Sequence, residues 1–548
     1  MSALRTALTD RRYSDDDDDS WKIRRSAAKL LQALISTRID LLADFYKTAA
    51  APLVARFSER EESVRLEILA AFEALLKQTS NARDAELAAG GRNKRKRSDD
   101  MDADPEPDRC VMDAAFPDDS ALASLLELTP RLVKAILKQA TAKSVTTRQQ
   151  SFILLRQVVE ALHGGLEAEA DAICNAAKNA LRSSDSTTPS LTIAVLSFLS
   201  AFFTYHSARS YVSHLAPLTQ DIVRCMRDKL QRVSFEAFAC ASAVACAIRP
   251  NKGSASPLRA GYDRPIQDIF TTTCSVLGDS SVDSEVREKA LITLGDILVH
   301  EGDVIVNQHS EALGLITARL ASETTASIAI EVIGRVADAP LCSGPALDAW
   351  LLEVLSQVVM FVRRNKRSVS KATEFNAINS ILRRLGSSLP ADIASGIVVE
   401  LKAFVESPAA LETLSIILET QPACRDAVAK HIIPEILKVV KNASSPVLIK
   451  ALTGFFGTYV DGDVDAGLRL VPALVSNLPK VDAIPDATLG GTAPYTTTAR
   501  CIGAIVQHGQ RNLAGILTIF QRTIQSGKGT VADVYLALLC AGEIGRLE

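Results

Sequence analysis

Aromatic residues are scarce. They make up 5% of the 548 residues, although hydrophobic residues reach 47%. Ala, Leu, Ile and Val dominate instead, the palette of helix packed on helix, in which small and branched side chains interdigitate without large rings. Charge of one sign is lacking too: the formal net charge is −3, too near zero for a surface that binds nucleic acid by neutralising phosphates along its whole face. The ten cysteines stand singly, with no CxxC pair, and read as small buried hydrophobes in a reducing compartment. Neither a signal-peptide core at the start nor a run of roughly 18 uninterrupted apolar residues is found. The expectation is a soluble, intracellular chain that binds neither nucleic acid nor membrane. Catalytic patterns are missing as well. The seven histidines join no HExxH or CxxC-type spacing, and His206, His300 and His431 read as capping or packing residues. The stretch SGKGT at 526–530 fails as a phosphate loop: the earlier glycine is Arg522, and Gly529 stands where Ser or Thr must follow the lysine. Neither enzyme activity nor a cofactor or metal is expected.

What is present is period. The chain is too long for one hydrophobic core. Strand signals are few, while apolar residues recur at helical spacing. Stripes begin near Ile23, Val64, Val145, Leu191, Phe235, Val286, Ile328, Ala372, Ala410, Val447, Thr498 and Val534. Their separations cluster at about 40 residues, the period of paired-helix HEAT or armadillo repeats. Between successive stripes lies another apolar helix, several with a proline: Pro130, Pro217 and Pro434 each kink such a helix or start it afresh. The expected fold is all-α, a HEAT/armadillo-like α-solenoid superhelix. In SEVREKALITLGDIL, Val286, Ala290 and Leu294 fall one turn apart and face the partner helix. Arg287 turns toward the loops, where its donors meet turn carboxylates. Val64-Arg65 and Ile23-Arg24 repeat the layout. No unit buries both faces of its helices alone, so stability accumulates by stacking.

The main interruption, NARDAELAAGGRNKRKRSDDMDADPEPDRC, has Gly90-Gly91, a basic cluster, an acidic cluster and two prolines but no apolar face, and reads as disordered. The expected organisation is HEAT repeats over 1–80 with the first incomplete, a charged disordered insertion over 81–115, and HEAT repeats over 116–548 with the last incomplete. Within the insertion, Lys94, Arg95, Lys96 and Arg97 form a candidate nuclear import signal, against the alternative of a solvated charge run. Two turns are candidate partner contacts. One is the aspartate run Asp15, Asp16, Asp17, Asp18 and Asp19; the other holds Arg363, Arg364, Lys366 and Arg367. The aspartates lack the alternating spacing, glycine and closing glutamate of a calcium loop; helix capping by Asp19 or Ser20 fits better.

The stretch YSDDDDDSWKIRRSAAKLLQALISTR, followed by RFSEREESVRLEILAAFEALLKQT, closely resembles the middle of the cullin-associated neddylation-dissociated proteins. PRLVKAILKQATAKSVTTRQQSFILLRQVV, VSFEAFACASAVACAIRP, FVRRNKRSVSKATEFNAINSILRRLG and LLCAGEIG resemble them too. The resemblance implies a monomeric scaffold of nucleus and cytoplasm that wraps an unmodified cullin with its RING subunit, covers the lysine that takes the ubiquitin-like modifier, and regulates assembly and receptor exchange of ubiquitin ligases of the SCF type. It covers only the central portion of that longer family, without the end regions that grip the RING end and displace the adaptor. A HEAT-repeat nuclear transport carrier is the alternative.

Overall fold

The computed structural model describes residues 20–94, 120–184, 187–250, 261–364, 371–461, 463, 465–478, 492–509, 513–526 and 530–547. Among these, every regular element is helical. They divide into two compact units, Met1–Leu315 with Ala339–Cys342, and Ile316–Asp338 with Ser343–Glu548.

In the first unit, helices alternate between two layers. One layer stacks α1 (Ser20–Thr37), α3 (Glu62–Lys94), α5 (Val145–Leu162), α7 (Pro189–Tyr205), α9 (Gln231–Ile248) and α11 (Ser284–Glu301), each against the next. The other runs through α2 (residues 39–55), α4 (Ala121–Ala140), α6 (Ala170–Ser183), α8 (Val212–Met226) and α10 (Asp263–Gly278). This is the paired-helix repeat expected from the 40-residue period. The helix α12 (His309–Leu320) follows. In the second unit, α13 (Ala326–Ala337), α15 (Ala372–Leu385), α17 (Pro408–Thr420), α20 (Pro446–Asp461), α22 (Ala493–His508) and α24 (Val531–Leu547) form one layer. Their partners are α14 (Pro345–Arg364), α16 (Ala391–Leu401), α18 (Arg425–His431), α19 (Ile433–Asn442), α21 (Ala466–Ser476) and α23 (Leu513–Ser526).

Local chemistry explains the boundaries. Ser144 begins α5 by accepting the Thr147 amide, and Asp283 begins α11 by accepting that of Glu285, as short polar turns require. Pro130 and Pro217 lie inside α4 and α8, while Pro434 sits in the first turn of α19, where its missing amide leaves no bond unmade. The irregular α2 passes from a 3-10 turn through α to a five-residue π segment, Tyr46–Ala50, just before Pro52. A proline deletes one amide donor and crowds the preceding turn, and the widened turn accommodates both.

The arginine of the repeated Val-Arg pair does tie turn to turn. Arg65 donates to the Glu59 carbonyl at 2.7 Å and to Thr147 Oγ1 of the next repeat at 3.2 and 3.3 Å, with Val64 fully buried behind it. In the turn before Arg287, Ser281 rather than an arginine holds the Asp279 carboxyl below the usual carboxylate range, through its hydroxyl and its amide, with a weaker pull from the Arg287 charge. The first helix departs from the layout. Ile23 is 62% exposed and Leu30 53%, while Arg24 is buried with Ala27, Ala28, Leu31 and Ile35. The cause is Glu59, a buried carboxylate that must find a cation; Arg24 supplies one at 3.5 Å and also reaches Ser20 Oγ at 2.5 Å.

A second departure concerns the interruption. The expected break at residue 81 does not occur there, because α3 continues to Lys94. Arg83, only 4% exposed, donates to the Glu160 and Ala161 carbonyls of α5 at 2.6 and 2.7 Å. The last carbonyls of a helix lack intrahelical donors, so one arginine caps α5 while pinning the extension of α3.

Among the described residues, one helix, α14, is long and apolar enough to cross a membrane by length and composition. Here it is a core helix: Leu347, Trp350, Leu351, Val354, Leu355 and Val358 are buried, and the Trp350 indole donates to Thr317 Oγ1 at 2.8 Å. Its partner layer is closely packed. A Cβ added at Gly334 of α13 would lie 2.9 Å from the Ala377 Cα of α15, so glycine there sets the approach of two backbones.

Candidate functional site

Of the basic turn expected at 363–367, Arg363 and Arg364 close α14, where positive charge suits the carbonyl end of a helix; Lys366 and Arg367 lie outside the described residues. Arg363 is not simply solvated. Its Nη1 donates to Glu400 Oε1 of α16 at 2.8 Å. One step along, Lys402 reaches Glu435 of α19 at 3.5 Å, and Lys438 reaches the same carboxylate at 2.8 Å. These hydrogen bonds hold the Glu435 carboxyl below the usual carboxylate range. Between the two crossings lies a groove of about 420 Å³ whose apolar lining is Val399, Ala403 and Phe404. The Phe404 ring is backed by Phe375 at 5.8 Å and by the Lys371 ammonium at 4.3 Å, a cation over a ring face. Val399 remains 46% exposed, and Met360 on α14 is 48% exposed.

A second groove, of about 430 Å³, lies across α7, α9 and α11 of the first unit, lined by Ile193, Arg232, Phe235, Glu236, Glu285 and Val286. Phe235 is 37% exposed under the Lys289 ammonium, 5.6 Å from the ring. Partial burial pushes the Glu236 carboxyl up. Periodicity places Phe235 at the start of a core stripe, whereas the buried row in the fold includes Val233, Ala237, Phe238, Ala241 and Val244. The signal was available, since Phe235 falls outside that helical row and beside Arg232 and Glu236. Val399, Ala403 and Phe404 gave no comparable signal, because their groove joins three separate helices.

The remaining candidates divide the same way. Asp15 to Asp19 and Arg95, Lys96 and Arg97 lie outside the described residues. Lys94 is the last residue of α3. Ser20 opens α1 as its first residue.

Titratable groups in the layers are structural. The buried His206 accepts the Leu166 amide at Nε2, 3.2 Å away, so its proton sits on Nδ1, which donates to the Phe202 carbonyl at 3.0 Å. Burial lowers its pKa. His300 Nδ1 bonds the Arg249 carbonyl at 2.6 Å, while Arg249 bridges Asp303 at 2.5 Å. Beside them Glu301 is fully buried, and neither carboxyl oxygen has a hydrogen-bond partner among the described residues. Burial pushes its pKa well up, against the pull of Arg249 and with the push of Asp303 and Asp296. His431 is half-buried in the last turn of α18. Eight of the nine described cysteines are buried and all nine are free thiols. Desolvation pushes Cys174, Cys274, Cys501 and Cys540 up to about 12, which suppresses the thiolate that redox or nucleophilic chemistry needs. Among the described residues, no group of three or more His, Cys, Asp or Glu could hold a metal ion. Both grooves have an apolar floor between charged side chains.

A family profile described as "CAND1-like, TPR repeats" matches residues 124–294. Cullin-associated NEDD8-dissociated protein 1 of Drosophila melanogaster is 29% identical over 97% of this chain and 42% of its own length. Cullin-associated NEDD8-dissociated protein 2 of Mus musculus is 27% identical over 98% of this chain and, again, 42% of its own length. The chain thus spans about two fifths of these relatives. Among solved structures, importin beta in an ammonium sulfate condition aligns over 100% of this chain and 67% of its own, with a TM-score of 0.53 at 13% identity. That likeness is one of fold and shows a HEAT-type solenoid. The resemblance to the cullin-associated neddylation-dissociated proteins therefore extends over nearly the whole chain, beyond the quoted stretches.

Proposed function

We propose that this chain is a non-enzymatic HEAT-repeat scaffold that binds an unmodified cullin with its RING subunit and regulates assembly of SCF-type ubiquitin ligases. The observation that carries the reading is the similarity over 97% of the chain to a protein whose name joins cullin association to NEDD8. The architecture supports it: layered repeats present long, ordered helix faces, and solenoids of this kind work by surface complementarity. Suppressed thiols, and His206, His300 and His309 committed to backbone bonds, support a binding role. The chain acts as a monomer, without nucleic acid, membrane or cofactor, and moves between cytoplasm and nucleus, with Lys94, Arg95, Lys96 and Arg97 as the import signal.

The transport-carrier alternative has in its favour only a shared fold at 13% identity. Co-elution separates the two readings. The purified chain is expected to co-elute with an unmodified cullin–RING pair and not with the GTP-loaded small GTPase of nuclear transport. Co-elution with the GTPase alone would replace the scaffold reading with the carrier one. Fusion of residues 90–119 to a fluorescent reporter tests the import signal: nuclear accumulation that Lys94→Ala with Arg95→Ala abolishes is expected, and uniform distribution of the unaltered fusion refutes it.

A further inference from the structure

The turn between α15 and α16 carries a pattern that the scaffold reading neither uses nor needs. It runs Leu382-Arg383-Arg384-Leu385-Gly386-Ser387-Ser388-Leu389-Pro390. Two arginines stand three and four residues before Ser387 and a leucine five before it, the kind of charge pattern by which one class of serine kinases selects its acceptor. Spacing by itself decides little. Among the described residues Ser63, Ser151 and Ser322 also follow an arginine by three, and the structure separates them from Ser387. Ser151 is fully buried and donates to the Thr147 carbonyl. Ser63 and Ser322 are half-buried, the first bonded to Glu61 and the second to Thr324. Ser387 is exposed, and its hydroxyl makes no hydrogen bond among the described residues. The neighbouring Ser388 hydroxyl is committed to the Leu385 carbonyl at 2.5 Å. The backbone favours access as well. Gly386 has a φ of 50°, in the left-handed region, so α15 stops at Leu385 and the chain leaves through a 3-10 turn, Gly386–Ser388. A kinase takes its substrate extended, which requires the last turn of α15 to open, and terminal turns are the part of a helix that opens at least cost. Arg383 pairs with Glu412 at 2.5 Å, both about half exposed, and Arg384 with the partly exposed Asp348 at 3.3 Å. Exposed pairs of this kind hold by only about 0 to 1 kcal/mol.

We propose that Ser387 is a phosphoacceptor site for a serine kinase that reads arginine three residues before its acceptor. The transfer forms a bond from Ser387 Oγ to the γ-phosphorus of ATP and breaks the bond from that phosphorus to the bridging oxygen that leaves with ADP, while the hydroxyl proton passes to the base of the kinase. The product suits the fold. A phosphoserine adds a charge of about −1.5 to −2 and three acceptor oxygens, and here it arises within four residues of two guanidiniums. It also precedes the first turn of α16, whose cap residue Pro390 supplies no side-chain hydrogen bond, and the positive end of a helix favours an anion.

The test incubates the full chain with ATP and calmodulin-dependent protein kinase II, a kinase of this class, and follows the tryptic peptide 385–402 by fragmentation mass spectrometry, so that phosphate on other parts of the chain does not enter the reading. A synthetic peptide of residues 380–392 is the unfolded reference. Phosphate on Ser387 of the full chain is expected. Ser387→Ala is expected to leave the tryptic peptide unmodified, and Arg384→Gln to slow its modification by about tenfold or more, which is about 1.4 kcal/mol of transition-state binding. Unchanged helical circular dichroism and melting confirm that both variants fold. Absence of phosphate from the peptide 385–402 of the full chain overturns the proposal, and modification of the synthetic peptide alone would show that the folded turn excludes the kinase. Phosphate confined to Ser388, or modification of Arg384→Gln at the unaltered rate, overturns it as well.

Discussion

Replacing Glu301 with glutamine should change how the first unit responds to pH more than it changes the unit itself. Glu301 ends α11 fully buried, with both carboxyl oxygens unpartnered among the described residues, near Arg249, Asp303 and Asp296. Its ordinary value is 4.5 and burial raises it well above that in the fold. Above pH 4.5 the unfolded chain releases this proton while the folded chain retains it, so stability falls as pH rises until the folded value is passed. Each pH unit in that window corresponds to about 1.4 kcal/mol, which sets a ceiling of about 4 kcal/mol between pH 4.5 and 7.5. Glutamine keeps the shape and never ionises. Its amide can itself lack a partner, at a cost of about 1 to 3 kcal/mol, but that offset is the same at every pH. The slope is therefore diagnostic and the intercept is not. Because a chain of two units need not unfold in one step, the measurement is local: opening free energies of α11 amides by hydrogen exchange, corrected for intrinsic rates, at several values between pH 5.5 and 8. The opening free energy of the unaltered chain is expected to fall steadily relative to that of Glu301→Gln. Parallel lines would refute the reasoning, because they would mean that the buried carboxyl titrates alike in both states.

Gly334→Ala is expected to destabilise the second unit by about 1 to 3 kcal/mol, since the new methyl meets the Ala377 Cα, a backbone atom, at 2.9 Å; a lowered melting temperature with unchanged helix content checks it. Arg83→Ala is expected to cost about 1.5 to 3 kcal/mol through bonds lost to the Glu160 and Ala161 carbonyls, and exchange should quicken around residues 78–85 while α1 stays protected. His206 has a folded pKa below its ordinary 6.5, so its contribution is intact above pH 6.5 and is lost as acid protonates the unfolded chain first. Melting temperature between pH 7.5 and 5.5 should consequently fall more steeply for the unaltered chain than for His206→Gln.

Most of the architecture was legible because its causes are local. Period, proline position and turn chemistry at Ser144, Asp283 and Pro434 each depend on a few neighbouring residues, and helix pairing follows from them. What escaped is set by residues distant in sequence. Arg24 rather than Ile23 turns inward because Glu59 waits in the following turn; periodicity alone favours the isoleucine. The helix α3 outlasts its apolar stripe because carbonyls of α5 hold Arg83. The candidate site was half legible. A basic run marks Arg363 as it stands in the sequence, but Glu400, which engages it, comes from a helix some 40 residues on. Phe235 carries the apolar character of a core residue but sits off the buried row of its helix, which only the packing of α9 fixes.

The central claim is that stacked repeats recognise a cullin and its RING subunit in the unmodified state. Equilibrium binding of the full chain to immobilised cullin–RING pairs, with and without the covalently attached NEDD8 modifier, tests it most directly. The account predicts saturable binding to the unmodified pair and at least about tenfold weaker binding to the modified one, a difference of about 1.4 kcal/mol. Equal affinity for both forms, or for neither, would contradict it.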